Sequence, residues 1–388
     1  MGGAAVTLGT HARAPRSPAP LLIPGALALL AGLWTGLARL GWDLPPLPVG
    51  PGLHGPLMIG GFLGTVIGLE RAVALAALTR RRWAYAVPGL CGLGGLALLL
   101  GAPRAGQVLI GLGSAGLVAV FAVVVRIRPD RAHVVMGLGA LAWLAGNLAW
   151  LAGAPLAAAA AWWIGFLVLT IAGERLELAR LVVQAPGPQR SFTIVVAVFL
   201  AGLALSLVAF APGLRVAGAG AAALGLWLLR HDLARRTIRA RGVTRYIAAC
   251  LLPGYAWLVF AGALWLAFPT RFDAGPLYDA MLHAVLVGFV FSMIFGHAPI
   301  ILPALTGAQV AFHPRFYAHL ALLHLSLVLR VAGDLAGAAA LRQWGGLANV
   351  AAILMFLAST AAAAASARRR GRPSPGAGEA PASSPASC

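Results

Sequence analysis

Residues 281–307 read MLHAVLVGFVFSMIFGHAPIILPALTG, and residues 53–75 read LHGPLMIGGFLGTVIGLERAVAL. Each stretch is long and apolar enough to cross a lipid bilayer as a single helix. Each also carries a histidine at its start, His54 in the earlier stretch and His283 in the later one. Ionisable side chains are rare in membrane helices and usually have a function there. The two stretches therefore predict both a class of fold and the place of a site.

The rest of the chain shares this apolar character. Of its 388 residues, 60% are hydrophobic and 10% are charged, and the mean hydropathy is +0.88. The apolar runs lack the two-residue alternation of membrane β-strands, so we expect helices. The pattern predicts an all-α integral membrane protein with twelve transmembrane helices, at roughly 21–41, 53–78, 83–101, 106–126, 133–153, 156–183, 191–211, 213–230, 245–268, 277–303, 317–338 and 343–366.

This division predicts three regions along the chain. Residues 1–20 form a cytoplasmic N-terminal segment, residues 21–366 form the transmembrane domain, and residues 367–388 form a disordered cytoplasmic tail rich in Arg, Pro and Ser. The division is least marked between the seventh and eighth spans, where Pro212 and Gly213 indicate the turn.

Arginine carries all of the positive charge, because each of the 29 basic residues is an arginine and the net charge is +19. When the loops are assigned to alternate sides, six arginines fall on one side and the other 23 on the opposite side. Loops rich in arginine stay in the cytoplasm. We therefore expect both termini to be cytoplasmic, and His54 and His283 to lie at the periplasmic ends of their helices.

The same distribution bears on partners and location. Arginines spread over short loops do not form the single basic face that a nucleic acid would need, so no nucleic-acid partner is expected. The lipid bilayer is the predicted partner, and the predicted location is a bacterial inner membrane, crossed many times.

Three further histidines are candidate metal ligands. His297 follows His283 by about four helical turns, or roughly 21 Å, which places it toward the opposite side of the membrane. His319 and His324 lie in the eleventh span, and their spacing of five residues is poor for joint ligation of one metal. Weak copper binding at most is expected at these three histidines.

Charged side chains near the span ends are expected to pair with one another. Arg330 and Asp334 are four residues apart in the eleventh span and are predicted to form an ion pair. A second predicted network lies on the cytoplasmic side, where the alternative interpretation is a proton entry point or a polar site facing His297. Its members are Glu70, Arg71, Glu174, Arg175, Glu177 and Arg180.

Residues 283–305 resemble the tenth helix of haem-copper oxidase subunit I, especially that of the C-type oxidases. The shared features after the ligand histidine are a Gly-aromatic pair, a Phe-Gly pair and a closing Pro-x-Leu, here Gly288, Phe289, Phe295, Gly296, Pro303 and Leu305. The second span is similar to that family's second helix, which opens with His-Gly-x-x-Met, here His54, Gly55 and Met58. The resemblance implies an oxidase subunit I-like bundle in which His54 and His283 bind a non-covalent low-spin haem b.

The chain departs from the oxidases at the positions that serve oxygen reduction. Met281 stands where the oxidases carry a second haem histidine, and the sixth and seventh spans contain no histidine for copper. What remains resembles the NnrS family of twelve-helix haem-binding membrane proteins, linked to nitric oxide and denitrification stress. That resemblance implies a redox or nitric oxide-related role. For a redox role, electrons would have to come from quinol or from a membrane redox partner.

Three alternatives stay open at this point. A haem could instead use His283 with His319 or His324, or His297 with one of those two. The chain could be a secondary transporter, with its substrate site at the mid-span breakers Pro253–Gly254 and Pro299. It could also be an assembly subunit of the membrane that has no cofactor.

Overall fold

The structure is a computed structural model that describes residues 18–48, 50–179, 186–307 and 309–370. These residues form helices joined by short loops and contain no β-strand. Eleven helices in the described ranges are long and apolar enough to cross a membrane, and a further apolar helix is shorter. The predicted all-α, multi-pass character is therefore confirmed at this level of detail.

We number these helices along the chain. They are α1 (Ala19–Arg39), α2 (Pro51–Thr79), α3 (Trp83–Leu99), α4 (Pro103–Ile127), α5 (Arg131–Leu151), α6 (Leu156–Ala179), α7 (Pro186–Leu205), α8 (Phe210–His231), α9 (Gly242–Ala267), α10 (Gly275–Leu305), α11 (Phe316–Ala336) and α12 (Ala339–Arg370).

The third helix and the two ends of the chain can be compared with the predicted number of spans and the predicted domain limits. Helix α3 is the shorter one, with no more than 17 residues, so the count of twelve crossings stays a prediction. Helix α12 continues to Arg370, past the predicted domain end at residue 366. The predicted N-terminal segment up to residue 17 and the predicted tail from residue 371 lie outside the described residues.

The predicted turn between the seventh and eighth spans is misplaced by several residues. Helix α7 ends at Leu205 and α8 begins at Phe210, so Pro212 and Gly213 lie inside the first turn of α8. Proline is tolerated there because its missing N–H would have no acceptor within the helix. Gly213 packs against the backbone of Ser206, which a side chain at that position would prevent.

Two predicted helix breakers do not interrupt their helices. Helix α9 runs through Pro253, and α10 runs through Pro299. Near the first proline, Ser292 of α10 donates from Oγ to the carbonyl oxygen of Cys250 at 2.7 Å. This hydrogen bond joins α9 to α10 within one turn of the proline. The interrupted helices typical of a transporter substrate site are not found at these two positions.

Helices that follow one another in the chain pack together, and further contacts connect distant parts of the bundle. Helix α1 packs against the first half of α2 and also touches α12, while α10 contacts α2, α6, α9 and α11. Helices α6 and α10 are the most deeply buried of these helices. In their most apolar stretches, 72% and 67% of the residues are buried inside the protein. The centre of the bundle therefore lies around α6 and α10.

A row of glycines on α2 serves helix packing. A Cβ atom at Gly60 would lie 2.8 Å from Ile110 of α4, and one at Gly64 would lie 2.7 Å from the Trp143 ring of α5. A Cβ at Gly68 would meet α3 at similarly short range. The row is thus in contact with three neighbouring helices, as small-residue rows in membrane helices generally are.

Helices α2 and α10 have the same local irregularity close to their histidines. A π-helical segment, Leu57–Leu63, begins three residues after His54, and another, Ala284–Phe291, begins directly after His283. Segments of this kind are uncommon and are frequent at functional sites. Phe62 and Phe291, one from each segment, stack with ring centroids 6.2 Å apart. The two helices therefore contact each other in the π-helical segments that follow the two histidines.

Candidate functional site

His54 and His283 meet at the end of the bundle where α2 and α10 begin. Their ring centroids are 6.2 Å apart, and the ring planes differ by 25°. Both side chains line a cavity of about 470 Å³. His54 is half-buried, and the His283 side chain is 12% exposed. The fold therefore brings together the two histidines that the sequence places at the same end of distant helices.

Each of these rings is held through its Nδ1 atom. His54 Nδ1 lies 2.7 Å from the carbonyl oxygen of Gly32 in α1, and His283 Nδ1 lies 2.9 Å from that of Asp279. Because a carbonyl only accepts hydrogen bonds, both Nδ1 atoms carry the proton and both Nε2 atoms keep a lone pair. Within the described ranges, neither Nε2 atom has a hydrogen-bond partner. This is the tautomer in which Nε2 can bind a metal.

His297 differs from this pair because both of its nitrogens are engaged. Its Nδ1 donates to the carbonyl oxygen of Met293 at 2.7 Å, so its Nε2 is an acceptor. Nη1 of Arg175 lies 3.3 Å from that Nε2 and donates to it. His297 therefore belongs to a polar cluster at the opposite end of the bundle from His54 and His283.

His319 is fully buried, and both of its nitrogens are also engaged. The Ser359 hydroxyl donates its proton to the carbonyl oxygen of Phe356 at 3.1 Å. The contact of 3.1 Å between this hydroxyl and His319 Nδ1 is therefore a hydrogen bond that Nδ1 donates. Its Nε2 then accepts from the Tyr246 hydroxyl at 2.9 Å. No lone pair of this ring is left for a metal.

The surroundings of His324 assign the opposite tautomer. Trp257 Nε1 donates to His324 Nδ1 at 3.1 Å. The Ser292 hydroxyl donates to Cys250, so His324 Nε2, 3.3 Å away, donates to Ser292. The described part of the chain holds no cluster of three or more metal-ligating side chains. The lone pairs at His297, His319 and His324 are thus occupied, whereas those at His54 and His283 are not.

Arginines border the cavity beside the histidine pair. Arg39, Arg330 and Arg342 all line it, and Arg39 is exposed. The predicted pair between Arg330 and Asp334 is wrong, because Arg330 binds Asp279 of α10 through two hydrogen bonds of 2.7 and 2.8 Å. Such paired hydrogen bonds are the strongest interaction between a guanidinium and a carboxylate. The four-residue spacing of Arg330 and Asp334 could not indicate it, because the partner, Asp279, lies on another helix.

The predicted network at the opposite end forms in part. Arg71 pairs with Glu70 at 2.9 Å and also with Glu174. Arg175 instead binds Asp232, which follows α8, through hydrogen bonds of 2.8 and 3.0 Å. The predicted member Arg180 lies outside the described residues. These pairs join α2, α6 and the loop after α8.

Three residues of the site were not predicted from the sequence: Gly32, Gly36 and Asp279. A Cβ atom at Gly36 would lie 2.9 Å from both Nδ1 and Cε1 of His54, so α1 leaves room for the ring only because this residue is glycine. Two spacings of four residues could have indicated them, Gly32 to Gly36 on α1 and Asp279 to His283 on α10, since such residues share a helix face.

No protein with a curated description matches this chain. Residues 18–365 match the model of a family described as Domain of unknown function (DUF8744), and this range includes every residue of the site described above. The chain therefore belongs to the DUF8744 family.

Proposed function

We propose that this protein binds haem b between His54 and His283 and serves a redox or nitric oxide-related function in a bacterial inner membrane. The observation that carries the proposal is the pair of facing imidazoles, 6.2 Å apart, whose Nε2 lone pairs have no partner in the described ranges. Two axial imidazoles are one of the ways in which proteins hold haem iron.

The spacing of the rings agrees with one metal between them. Imidazole nitrogens bind transition metals at about 2.0–2.1 Å, so two rings on opposite sides of one metal have centroids roughly 6 Å apart. The observed centroid distance is 6.2 Å. The separation of the two rings therefore supports the proposal of a shared iron between them.

The cavity between the helices has the chemistry that haem requires. Its volume of about 470 Å³ falls in the range of cofactor sites, and apolar side chains such as Leu33, Ile59 and Phe291 line much of it. Arg39 and Arg342 stand at its border and could bind the two carboxylates of the macrocycle. The residues present thus fit the group.

The protein would contribute orientation and electronic tuning. The carbonyl oxygens of Gly32 and Asp279 hold the two imidazoles through Nδ1–H, which keeps Nε2 basic and fixes each ring. Haem in this site would supply one-electron redox chemistry. Electrons would come from quinol or from a membrane redox partner. A role in nitric oxide binding would require that His54 or His283 be displaceable from such a haem.

The test is a reduced-minus-oxidised absorption spectrum of the protein purified in detergent from haem-replete cells. We expect the sharp bands of a low-spin haem b, one iron per chain and no stoichiometric copper. Because the ring planes differ by only 25°, the ferric protein should give the rhombic electron paramagnetic resonance signal of near-parallel axial imidazoles. A colourless protein would refute the proposal and favour a transporter or an assembly subunit.

Gly36→Ala should weaken haem binding without changing a ligand. The new methyl group would lie 2.9 Å from the His54 ring and push it off its hydrogen bond to Gly32. We expect a loss of about 10–100-fold in haem affinity, as for other groups that orient a metal ligand, measured by titrating haem-free protein. The matched control is Gly111→Ala, where an added Cβ meets no atom within 4 Å. Equal affinity in the two variants would contradict this role for Gly36.

A further inference from the structure

The loop between α8 and α9, residues 232–241, lies in a stretch of the chain that is dense in arginine. With the adjoining ends of the two helices, residues 230–245 contain six exposed arginines: Arg230, Arg235, Arg236, Arg239, Arg241 and Arg245. The loop lies at the end of the bundle opposite the histidine pair, which the arginine count predicts to be cytoplasmic. The one acidic residue of this stretch is Asp232, and its carboxylate binds Arg175 inside the protein.

The loop is packed against the bundle along one of its sides. Asp232 forms its buried ion pair with α6 and also accepts a hydrogen bond of 2.7 Å from the backbone N–H of Ala234. A short helix, Ala234–Thr237, follows, and its backbone hydrogen bonds continue as helical turns to Ala240. Ala234 is buried, and Ile238 packs on the hydrophobic core. One side of this segment therefore faces the protein, and the other side carries the arginines.

Three like charges are neighbours on the exposed side of this segment. Arg239 follows Arg235 by four residues and Arg236 by three, and side chains at these spacings are adjacent on a helical surface, where like charges repel. Among the described residues, none of the three forms an ion pair with a carboxylate. Nη1 of Arg235 donates to the carbonyl oxygen of Arg230 at 2.9 Å, which leaves the charge uncompensated. An anion bound at these three guanidinium groups would offset their repulsion.

The position of the loop indicates where such an anion comes from. A short loop between two membrane-spanning helices stays close to the lipid headgroups, and clusters of basic residues directly beside a membrane helix bind anionic lipids. A guanidinium group binds a phosphate through paired hydrogen bonds. We propose that Arg235, Arg236 and Arg239 bind the phosphate diester of an anionic phospholipid headgroup. This site lies at the opposite end of the bundle from the proposed haem and does not depend on it.

The test measures the affinity of phosphatidylglycerol for the full chain in detergent by native mass spectrometry. We expect it to bind more tightly than phosphatidylcholine with the same acyl chains, because phosphatidylcholine has no net charge. Each arginine close to an anionic lipid surface contributes about fivefold to binding. The triple variant Arg235→Gln, Arg236→Gln, Arg239→Gln should therefore bind phosphatidylglycerol about 100-fold more weakly. Equal affinity of the unmodified protein for the two lipids would overturn the proposal.

The matched control removes the same charge from another exposed loop at the same end of the bundle. Arg80, Arg81 and Arg82 follow one another in the turn between α2 and α3, where Arg80 has a left-handed backbone with φ of 58°. Their side chains therefore do not share a helix face. The variant Arg80→Gln, Arg81→Gln, Arg82→Gln should keep most of its affinity. An equal loss in the two triple variants would show that total charge attracts the lipid, and the proposed site would be wrong.

Two further measurements separate the site from misfolding and from soluble ligands. Arg239→Gln alone leaves the hydrogen bond from Arg235 to Arg230 in place, and it should weaken phosphatidylglycerol binding about fivefold. Unchanged affinity in this variant would count against the cluster. Glycerol 3-phosphate in excess should leave the lipid bound. If it displaces the lipid, the arginines bind a soluble phosphate, and the assignment to a phospholipid fails.

Discussion

His54→Ala and His283→Ala proteins should each purify without haem. Either change removes one of the two imidazoles that line the cavity and that would hold the iron. We expect haem affinity to fall by more than the roughly 100-fold that is typical when only an orienting group is lost. The measurement is the haem-to-protein ratio, from a haem extract and a protein assay on the same sample.

Two control variants make this result specific to the pair. His324→Ala removes a ring whose nitrogens already bond to Trp257 and Ser292, and His313→Ala removes an exposed ring in the loop after α10. Both proteins should keep haem at the unmodified ratio. Loss of haem in His324→Ala, with retention in His54→Ala, would show that a different pair of histidines holds the iron.

Breaking the buried ion pair between Arg175 and Asp232 should cause the largest loss of stability. Both side chains are almost fully buried, at 7% and 1% exposed, and two hydrogen bonds join them. Removing one partner leaves an uncompensated buried charge, which typically costs about 3–5 kcal/mol. We expect Arg175→Ala and Asp232→Ala each to lower the free energy of unfolding by this amount, measured by thermal unfolding in detergent.

A double variant separates the charge from the packing. Arg175→Met with Asp232→Leu replaces both charges with apolar side chains of similar size, which is often neutral for stability. We expect it to recover most of the loss. Two hydrogen bonds stay lost, each worth about 1 kcal/mol: the one that Asp232 accepts from the backbone N–H of Ala234 and the one that Arg175 donates to His297. Arg230→Ala, at an exposed arginine on α8, is the control and should change little. A double variant less stable than either single variant would contradict this account.

Apolar runs and arginine counts are sufficient to predict the helices and to place His54 and His283 at one end. They place some helix ends wrongly. Pro212 is expected in the loop before α8, but it lies within the first helical turn of α8, where proline is tolerated. They also cannot predict which helices that are distant in the sequence contact one another in the bundle. Gly36 of α1 and Asp279 of α10 acquire their roles only through such contacts with other residues of the site.

The two π-helical segments have a consequence for how this site can change. One extra residue in a helical turn rotates everything on one side of it by about 100° relative to the other side. The π-helical segments therefore set the direction of His54 and His283 separately from that of the residues later in α2 and α10. Gain or loss of a single residue in Leu57–Leu63 or Ala284–Phe291 would turn the histidine ring to a new direction, while the rest of the helix could keep its neighbours in the bundle.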